Sequence, residues 1–276
     1  MVETAAVGPD EEAVVRRLRT AGCVWAEDEA RLLLEAAAGA ELEALLARRV
    51  AGEPLEQVLG WAGFAGLRLA VEPGVFVPRR RTGLLLDLAE AALAAATATA
   101  TADDVAVPAP VVVELCCGVA AVATALLHRS PGLDVVASDL DPAAVRCARR
   151  NLGPRALVVE GDLFGGLPAR LRGRVDVLVA NAPYVPTGAI ATMPPEARLH
   201  ESPLALDGGA DGLDLHRRIA ASAGEWLSPT GTVLVETSVR QALATSALFT
   251  AAGLDATVER DDELDATAVR VTRSVG

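Results

Sequence analysis

The sequence predicts an α/β protein, in which a parallel, Rossmann-like sheet is covered by helices on both faces and preceded by a small N-terminal helical domain. From Pro78 onward, short apolar runs alternate with glycine turns and longer helical stretches, the pattern of strand–helix repeats joined by right-handed crossovers. Before that point, Val14, Leu18, Leu32, Leu33, Leu42, Leu45 and Leu46 recur at three- and four-residue intervals among Glu and Arg, which predicts two or three amphipathic helices over residues 10–50. A length of 276 residues fits one large core with a smaller appendage.

The elements follow in order. Gly52-Glu53-Pro54 ends the helical part, and Leu55 to Val77 reads as short alternating strands around Gly60, Gly63, Gly66 and Gly74. The resulting partition is a helical domain over 1–52, a β-hairpin connector over 53–75 and an α/β domain over 76–276. Within the last, Arg81 to Ala96 predicts a helix and 97–110 a loop. Val111 to Leu115 is a buried strand followed by a helix from Ala120 to His128. Val135 to Asp139 is a second strand, after which Asp141 caps a helix from Pro142 to Asn151, with proline in its favoured first turn. Further strands are predicted at Ala156–Glu160, Val175–Ala180 and Thr232–Glu236, helices at Leu213–Leu227 and 239–252, and closing segments at 254–260 and 266–273. Sheets of this kind bind ligands at the carboxyl ends of their strands.

Composition narrows the function. A net charge of −12 and a pI near 4.8 disfavour nucleic acid as the main partner, because affinity for phosphate needs clustered cations. Cysteines at 23, 116, 117 and 147 have neither zinc-site spacing nor disulfide density, so a reducing cytoplasm is the expected setting, with no metal. The acidic start is no secretion signal, and the Ala-rich run near 89–102 is too polar for a membrane span.

The candidate chemistry lies at strand ends. Gly118 closely follows the strand ending at Leu115, and Asp139 stands 21 residues further on, a spacing at which an acid can accept from ribose hydroxyls. One glycine is too few to cradle a diphosphate, which favours a nucleoside ligand without one. The same residues also fit a plain strand–turn–helix with a capping acid. Asp162, after the third strand, could accept from an adenine amino group or cap a turn. Asn181-Ala182-Pro183-Tyr184 ends an apolar strand with an amide, a rigid turn and the chain's sole tyrosine. The Asn181 amide and the Ala182 carbonyl can hold the two hydrogens of an NH2 group and orient its lone pair toward an electrophilic methyl, with Pro183 setting the turn and Tyr184 walling the pocket. An ordinary turn after a strand is the plain alternative.

These motifs, together with Glu53-Pro54-Leu55-Glu56-Gln57-Val58-Leu59-Gly60, Pro73-Gly74-Val75-Phe76-Val77-Pro78-Arg79 and the stretch Glu201-Ser202-Pro203-Leu204-Ala205-Leu206-Asp207-Gly208-Gly209-Ala210-Asp211-Gly212-Leu213-Asp214, resemble the HemK/PrmC family. Its members are class I methyltransferases that modify the glutamine side-chain amide of peptide-chain release factors. The resemblance spans almost the whole chain. It implies a seven-stranded sheet and S-adenosylmethionine as methyl donor. It implies donor contacts from Glu114, Cys116, Gly118, Asp139, Leu140, Asp162, Leu163 and Asn181, and catalysis at Asn181, Ala182, Pro183 and Tyr184. Arg79, Thr82 and Tyr184 are the expected acceptor contacts, and the helical domain is expected to dock the substrate. The expected partner is a release factor or a small nitrogen-containing molecule, and the expected state a monomer.

The chain departs from the family pattern in three places. Asn-Pro-Pro-Tyr is Asn-Ala-Pro-Tyr, the loop of three alternating glycines is Cys116-Cys117-Gly118-Val119-Ala120, and Pro-Arg-Pro-Glu-Thr-Glu is Pro78-Arg79-Arg80-Arg81-Thr82-Gly83. These departures bear on the acceptor more than on the reaction, which keeps open methylation of a small metabolite and, from another class, donor binding without turnover. Adenine methylation in nucleic acid is disfavoured by the acidic charge. Cys116 and Cys117 read as small buried residues, since the histidines at 128, 200 and 216 are dispersed. The Arg79–Arg81 run reads as a solvated face or a helix start, or as an attractor of acidic substrate.

Overall fold

The computed structural model describes residues 9–99 and 108–274. Three helices open the chain, α1 (Pro9–Thr20), α2 (Ala26–Ala36) and α3 (Gly39–Val50). Their apolar stripes meet in a separate small core of Val14, Leu18, Ala30, Leu33, Leu46 and Val58. At its edge, buried Arg49 forms an ion pair with buried Glu29 and reaches Glu196, in a short helix far along the chain, at 2.7 Å.

The connector differs from the expected run of strands. Leu55–Leu59 is a single helical turn, α4, because Pro54 pre-sets its start and Gly60 adopts the left-handed conformation that ends it. Only β1 (Trp61–Phe64) and β2 (Leu67–Ala70) pair as a hairpin. Beyond them Pro73 and Pro78 remove backbone donors, and pairing is reduced to one bridge between Gly74 and Glu201. Asn151 holds the hairpin in place: its amide exchanges hydrogen bonds with the backbone of Ala70 and donates to the Val119 carbonyl at 2.9 Å.

The α/β part begins with a 3₁₀ turn at Arg80–Thr82 and α5 (Gly83–Thr99). Of the expected 97–110 loop, residues 97–99 instead continue α5 and residues 100–107 lie outside the described residues. There follow β3 (Val111–Leu115), α6 (Ala121–Arg129), β4 (Asp134–Asp139), α7 (Pro142–Leu152), β5 (Leu157–Glu160) and β6 (Val175–Ala180). After the short helices α8 (Pro195–His200) and α9 (Pro203–Leu206) come α10 (Asp214–Trp226), β7 (Leu227–Glu236), α11 (Ala242–Ala251), β8 (Leu254–Asp261) and β9 (Ala266–Arg273). Asp141 caps α7 as expected, accepting from the Ala143 N–H.

The seven-stranded sheet has the order β5-β4-β3-β6-β7-β9-β8, parallel except at β9, which is antiparallel to both neighbours. Both faces are apolar. Val112 packs toward α5, α6 and α7, while Val111, Val113 and Leu115 pack toward α10 and α11. The chain leaves β3 toward β4 and β5, then returns to lay β6 on the other side of β3. That reversal opens a crevice at the carboxyl ends of β3 and β6. Register then aligns the chemistry: Leu115 pairs with Ser138 and Ala180, and Ala180 with Val235, so the next residues, Cys116, Asp139, Asn181 and Glu236, form one row along the sheet's edge.

Arg49→Ala leaves the Glu29 carboxylate buried without its cation and is expected to destabilise the helical domain by about 3 kcal/mol. Urea unfolding followed by circular dichroism measures this; a loss below roughly 1 kcal/mol would show the pair to be peripheral.

Candidate active site

One cavity of about 760 Å³ lies over this row. All the residues singled out from the sequence line it: Arg79, Thr82, Glu114, Cys116, Gly118, Asp139, Leu140, Asp162, Leu163, Asn181, Ala182, Pro183 and Tyr184.

On the β3–β4 side, the loop after β3 takes left-handed backbone at alternate positions, Cys116 (φ 50°), Gly118 (φ 54°) and Ala120 (φ 57°). Asp139 braces it. One carboxylate oxygen accepts from the Gly118 N–H at 2.8 Å and the other from the Asp141 N–H at 2.9 Å. The 21-residue spacing is therefore a direct contact. Burial raises the Asp139 carboxyl above its ordinary range, against these backbone donors. Glu114 lies beneath the loop, fully buried, and accepts from the Ala123 N–H at 2.7 Å in the first turn of α6. Desolvation pushes its pKa up to about 8, with the Ala123 and Val122 amides pulling the other way. A Cβ built on Gly118 would meet no protein atom, so the space above the loop is open cavity. Asp162 is held by Arg218 of α10 at 2.8 Å. Burial raises the Cys116 and Cys117 thiols well above their ordinary range, as expected of small buried residues rather than nucleophiles.

On the β6–β7 side, behind the lining residues Arg81, Thr82 and Tyr184, lies Glu236, a buried carboxylate the sequence reading did not single out. It accepts from Thr82 Oγ1 at 2.8 Å, Arg81 Nε at 3.0 Å and the Tyr184 hydroxyl at 3.3 Å. Thr82 in turn accepts from Asn181 Nδ2 at 3.4 Å. Burial and the neighbouring Glu236 charge push the Tyr184 phenol well up, so it stays a neutral donor. Among the described residues no donor reaches Asn181 Oδ1 or the Ala182 carbonyl oxygen. The signal for Glu236 was positional: it ends a strand in the same row as Asp139 and Asn181.

The long segment after Tyr184 forms the outer wall. It packs backbone to backbone: a Cβ on Gly212 (φ 77°) would sit 2.3 Å from the Tyr184 carbonyl oxygen, which only glycine avoids. Glu201, also missed, is buried and takes Arg79, whose guanidinium lies 5.1 Å from the Phe76 ring centre. Gln57 donates to the His200 and Val75 carbonyls, tying this wall to the helical domain.

Residues 67–211 match the methyltransferase small domain family. The chain is 34% identical over 273 residues to a release factor glutamine methyltransferase of Bradyrhizobium diazoefficiens, covering 90% of this chain and 87% of that protein. The chain belongs to the release factor glutamine methyltransferase, or HemK/PrmC, family. It is therefore an S-adenosylmethionine-dependent class I methyltransferase. The enzyme is also 39% identical over 207 residues to a 4-amino-L-phenylalanine/4-methylamino-L-phenylalanine methyltransferase of Streptomyces pristinaespiralis, covering 75% of this chain and 68% of that one. Among solved structures, a methyltransferase from Pyrococcus furiosus shares the fold, with a TM-score of 0.54 at 14% identity, covering 84% of the enzyme and 100% of that chain. Among its described residues the methyltransferase has no group of three or more His, Cys, Asp or Glu side chains that could hold a metal ion, and no helix long and apolar enough to cross a membrane.

The sign of the Glu114 shift makes the enzyme's stability fall as pH rises. Its folded pKa near 8 exceeds the ordinary 4.5, so the stability it contributes is complete below pH 4.5 and is lost progressively up to pH 8. Glu114→Gln is expected to remove this loss and to be more stable than the parent at pH 8 by on the order of a few kcal/mol. Chemical denaturation of both proteins without S-adenosylmethionine at pH 5 and pH 8 checks it; parallel pH profiles would refute the assignment.

Proposed function

We propose that the enzyme methylates the side-chain amide nitrogen of a glutamine in a peptide-chain release factor. The observation that carries this is the pair of open acceptors on adjacent residues, Asn181 Oδ1 and the Ala182 carbonyl, lining a cavity shared with the donor-side loop. A primary amide offers two N–H hydrogens. The two acceptors take one each, hold the nitrogen and stabilise the positive charge that develops there, while Tyr184 walls the amide plane. S-adenosylmethionine supplies an electrophilic methyl on sulfonium. Its holders would be Glu114, Asp139, Leu140, Asp162, Leu163 and the Cys116–Gly118 loop. An amide nitrogen is a weak nucleophile, so binding energy must be used to orient it. The likeness to the Bradyrhizobium protein runs through the helical domain as well as the sheet, which supports a role for α1–α4 in docking a protein acceptor. Four free cysteines support a reducing compartment.

A second reading is favoured by the Streptomyces pristinaespiralis relative, whose acceptor is an aromatic amino acid. An aryl NH2 group would fit the same two acceptors. Arg81, at the Tyr184 ring, would meet its carboxylate.

Incubation of the enzyme with S-adenosylmethionine and a bacterial release factor is expected to add one methyl to a glutamine, read by peptide mass spectrometry. Asn181→Ala is expected to lower turnover by about 100-fold or more while leaving donor affinity within a few-fold. Methylation of 4-amino-L-phenylalanine with an unmodified release factor would instead establish the second reading.

A further inference from the structure

We propose that Glu236 is a positioning residue for methyl transfer: through Thr82 it fixes the Asn181 amide so that Oδ1, rather than Nδ2, meets the acceptor nitrogen. The inference rests on the reading above that Asn181 holds the acceptor's NH2 group. It follows from counting protons along one chain of hydrogen bonds. The Glu236 carboxylate ends β7 at 2% exposure, and as an anion it only accepts. Its two oxygens are divided: Oε1 takes Arg81 Nε and the Tyr184 hydroxyl, and Oε2 takes Thr82 Oγ1.

Thr82 has one hydroxyl proton, and it is given to Glu236. Its oxygen can then only accept, so the Asn181 atom 3.4 Å away must be the NH2 nitrogen. Oδ1 is left at the other end of the amide, with no partner among the described residues. Flipping Asn181 would set two proton-less oxygens against each other at Thr82. It would also present NH2 to the acceptor's NH2, donor against donor. Thr82 is 4% exposed, so no bulk solvent supplies a substitute proton there. The carboxylate thus sets the polarity of a catalytic amide two hydrogen bonds away, and β7, the 3₁₀ turn and the β6 end each contribute one link.

Thr82→Val keeps the side chain's shape and removes both links, whereas Thr82→Ser restores the hydroxyl. With the full-length enzyme, S-adenosylmethionine and a release factor, Thr82→Val is expected to lower kcat by about 10- to 100-fold at unchanged donor affinity, with Thr82→Ser within roughly threefold of the parent. Glu236→Gln should cause a similar loss, and the double variant should lose little more than either single one. A second readout needs no turnover. The side-chain NH2 resonances of Asn181, assigned by their disappearance in Asn181→Asp, should shift in Thr82→Val and Glu236→Gln and recover in Thr82→Ser. Parental kcat in Thr82→Val, or strictly additive losses, would overturn the relay. If the parent methylates neither a release factor nor 4-amino-L-phenylalanine, the acceptor reading fails separately, and unchanged Asn181 resonances would still sink the relay on their own.

Discussion

A buried carboxylate must be satisfied on every side or it destabilises the fold, and Glu236 is the one around which the acceptor side of this enzyme is organised. Its three partners come from two places in the sequence: Arg81 and Thr82 from the turn that opens the α/β part, and Tyr184 from the segment after β6. Neither place is held to the other by local structure. The 3₁₀ turn is too short to define its own orientation, and the Asn-Ala-Pro-Tyr segment leaves its strand without a helix to anchor it. The carboxylate converts two loosely determined pieces into one wall. The arrangement resembles the structural use of buried ion pairs, where the gain is a unique geometry more than net stability.

The same economy explains the arginine run. Arg79 and Arg81 stand in a segment where the family pattern has fewer cations, yet both point at buried carboxylates, Glu201 and Glu236, from sequence distances above one hundred residues. The segment therefore acts as a clamp between β7 and the outer wall. Arg79 also lies against Phe76, and Arg81 lies 6.0 Å from the Tyr184 ring centre, so each guanidinium is engaged through its face as well as its edge. The run is a helix start, with Arg80 and much of Arg81 solvated, in which Arg79 and Arg81 also pair with carboxylates of the protein. What remains available to an acceptor is the outer edge of Arg81, whose charge is already partly met.

Much of this was legible in the sequence because the informative patterns are local. Strands β3, β4 and β6 are apolar runs ended by Gly, Asp or Asn, and their period and length identify them without tertiary help. Asp141 before Pro142 marks a helix start by side-chain geometry alone. The connector was misread because Leu55–Leu59 is one turn long, below the length at which periodicity separates helix from strand, and because its boundaries come from Pro54 and Gly60. The short helices of the outer wall escaped for the same reason. Glu236 and Glu201 escaped for a different one: a strand-end acid and a loop acid are common, and only register across β6 and β7 sets Glu236 behind the cavity wall, as only the fold of the outer wall brings Glu201 to the cavity.

The altered glycine loop can be weighed in the same terms. Its backbone keeps left-handed conformation at 116, 118 and 120, although only Gly118 is free of the steric cost, roughly 1–2 kcal/mol for each of the others. Two effects offset it. Ala120 is fully buried among core residues, where each methyl removed from water contributes about 0.8 kcal/mol, and Cys116 packs its side chain against the core on the α10 face. The loop is also not free to relax. Asp139 holds the Gly118 amide, Glu114 holds the start of α6, and the Cys117 N–H bonds the Ser138 carbonyl at 3.1 Å. In most loops of this shape glycine is needed because nothing else imposes the conformation. Here a braced backbone imposes it, so the side chains at 116 and 120 are chosen by packing, and the cradle beside the β3 end keeps its form without two of its glycines.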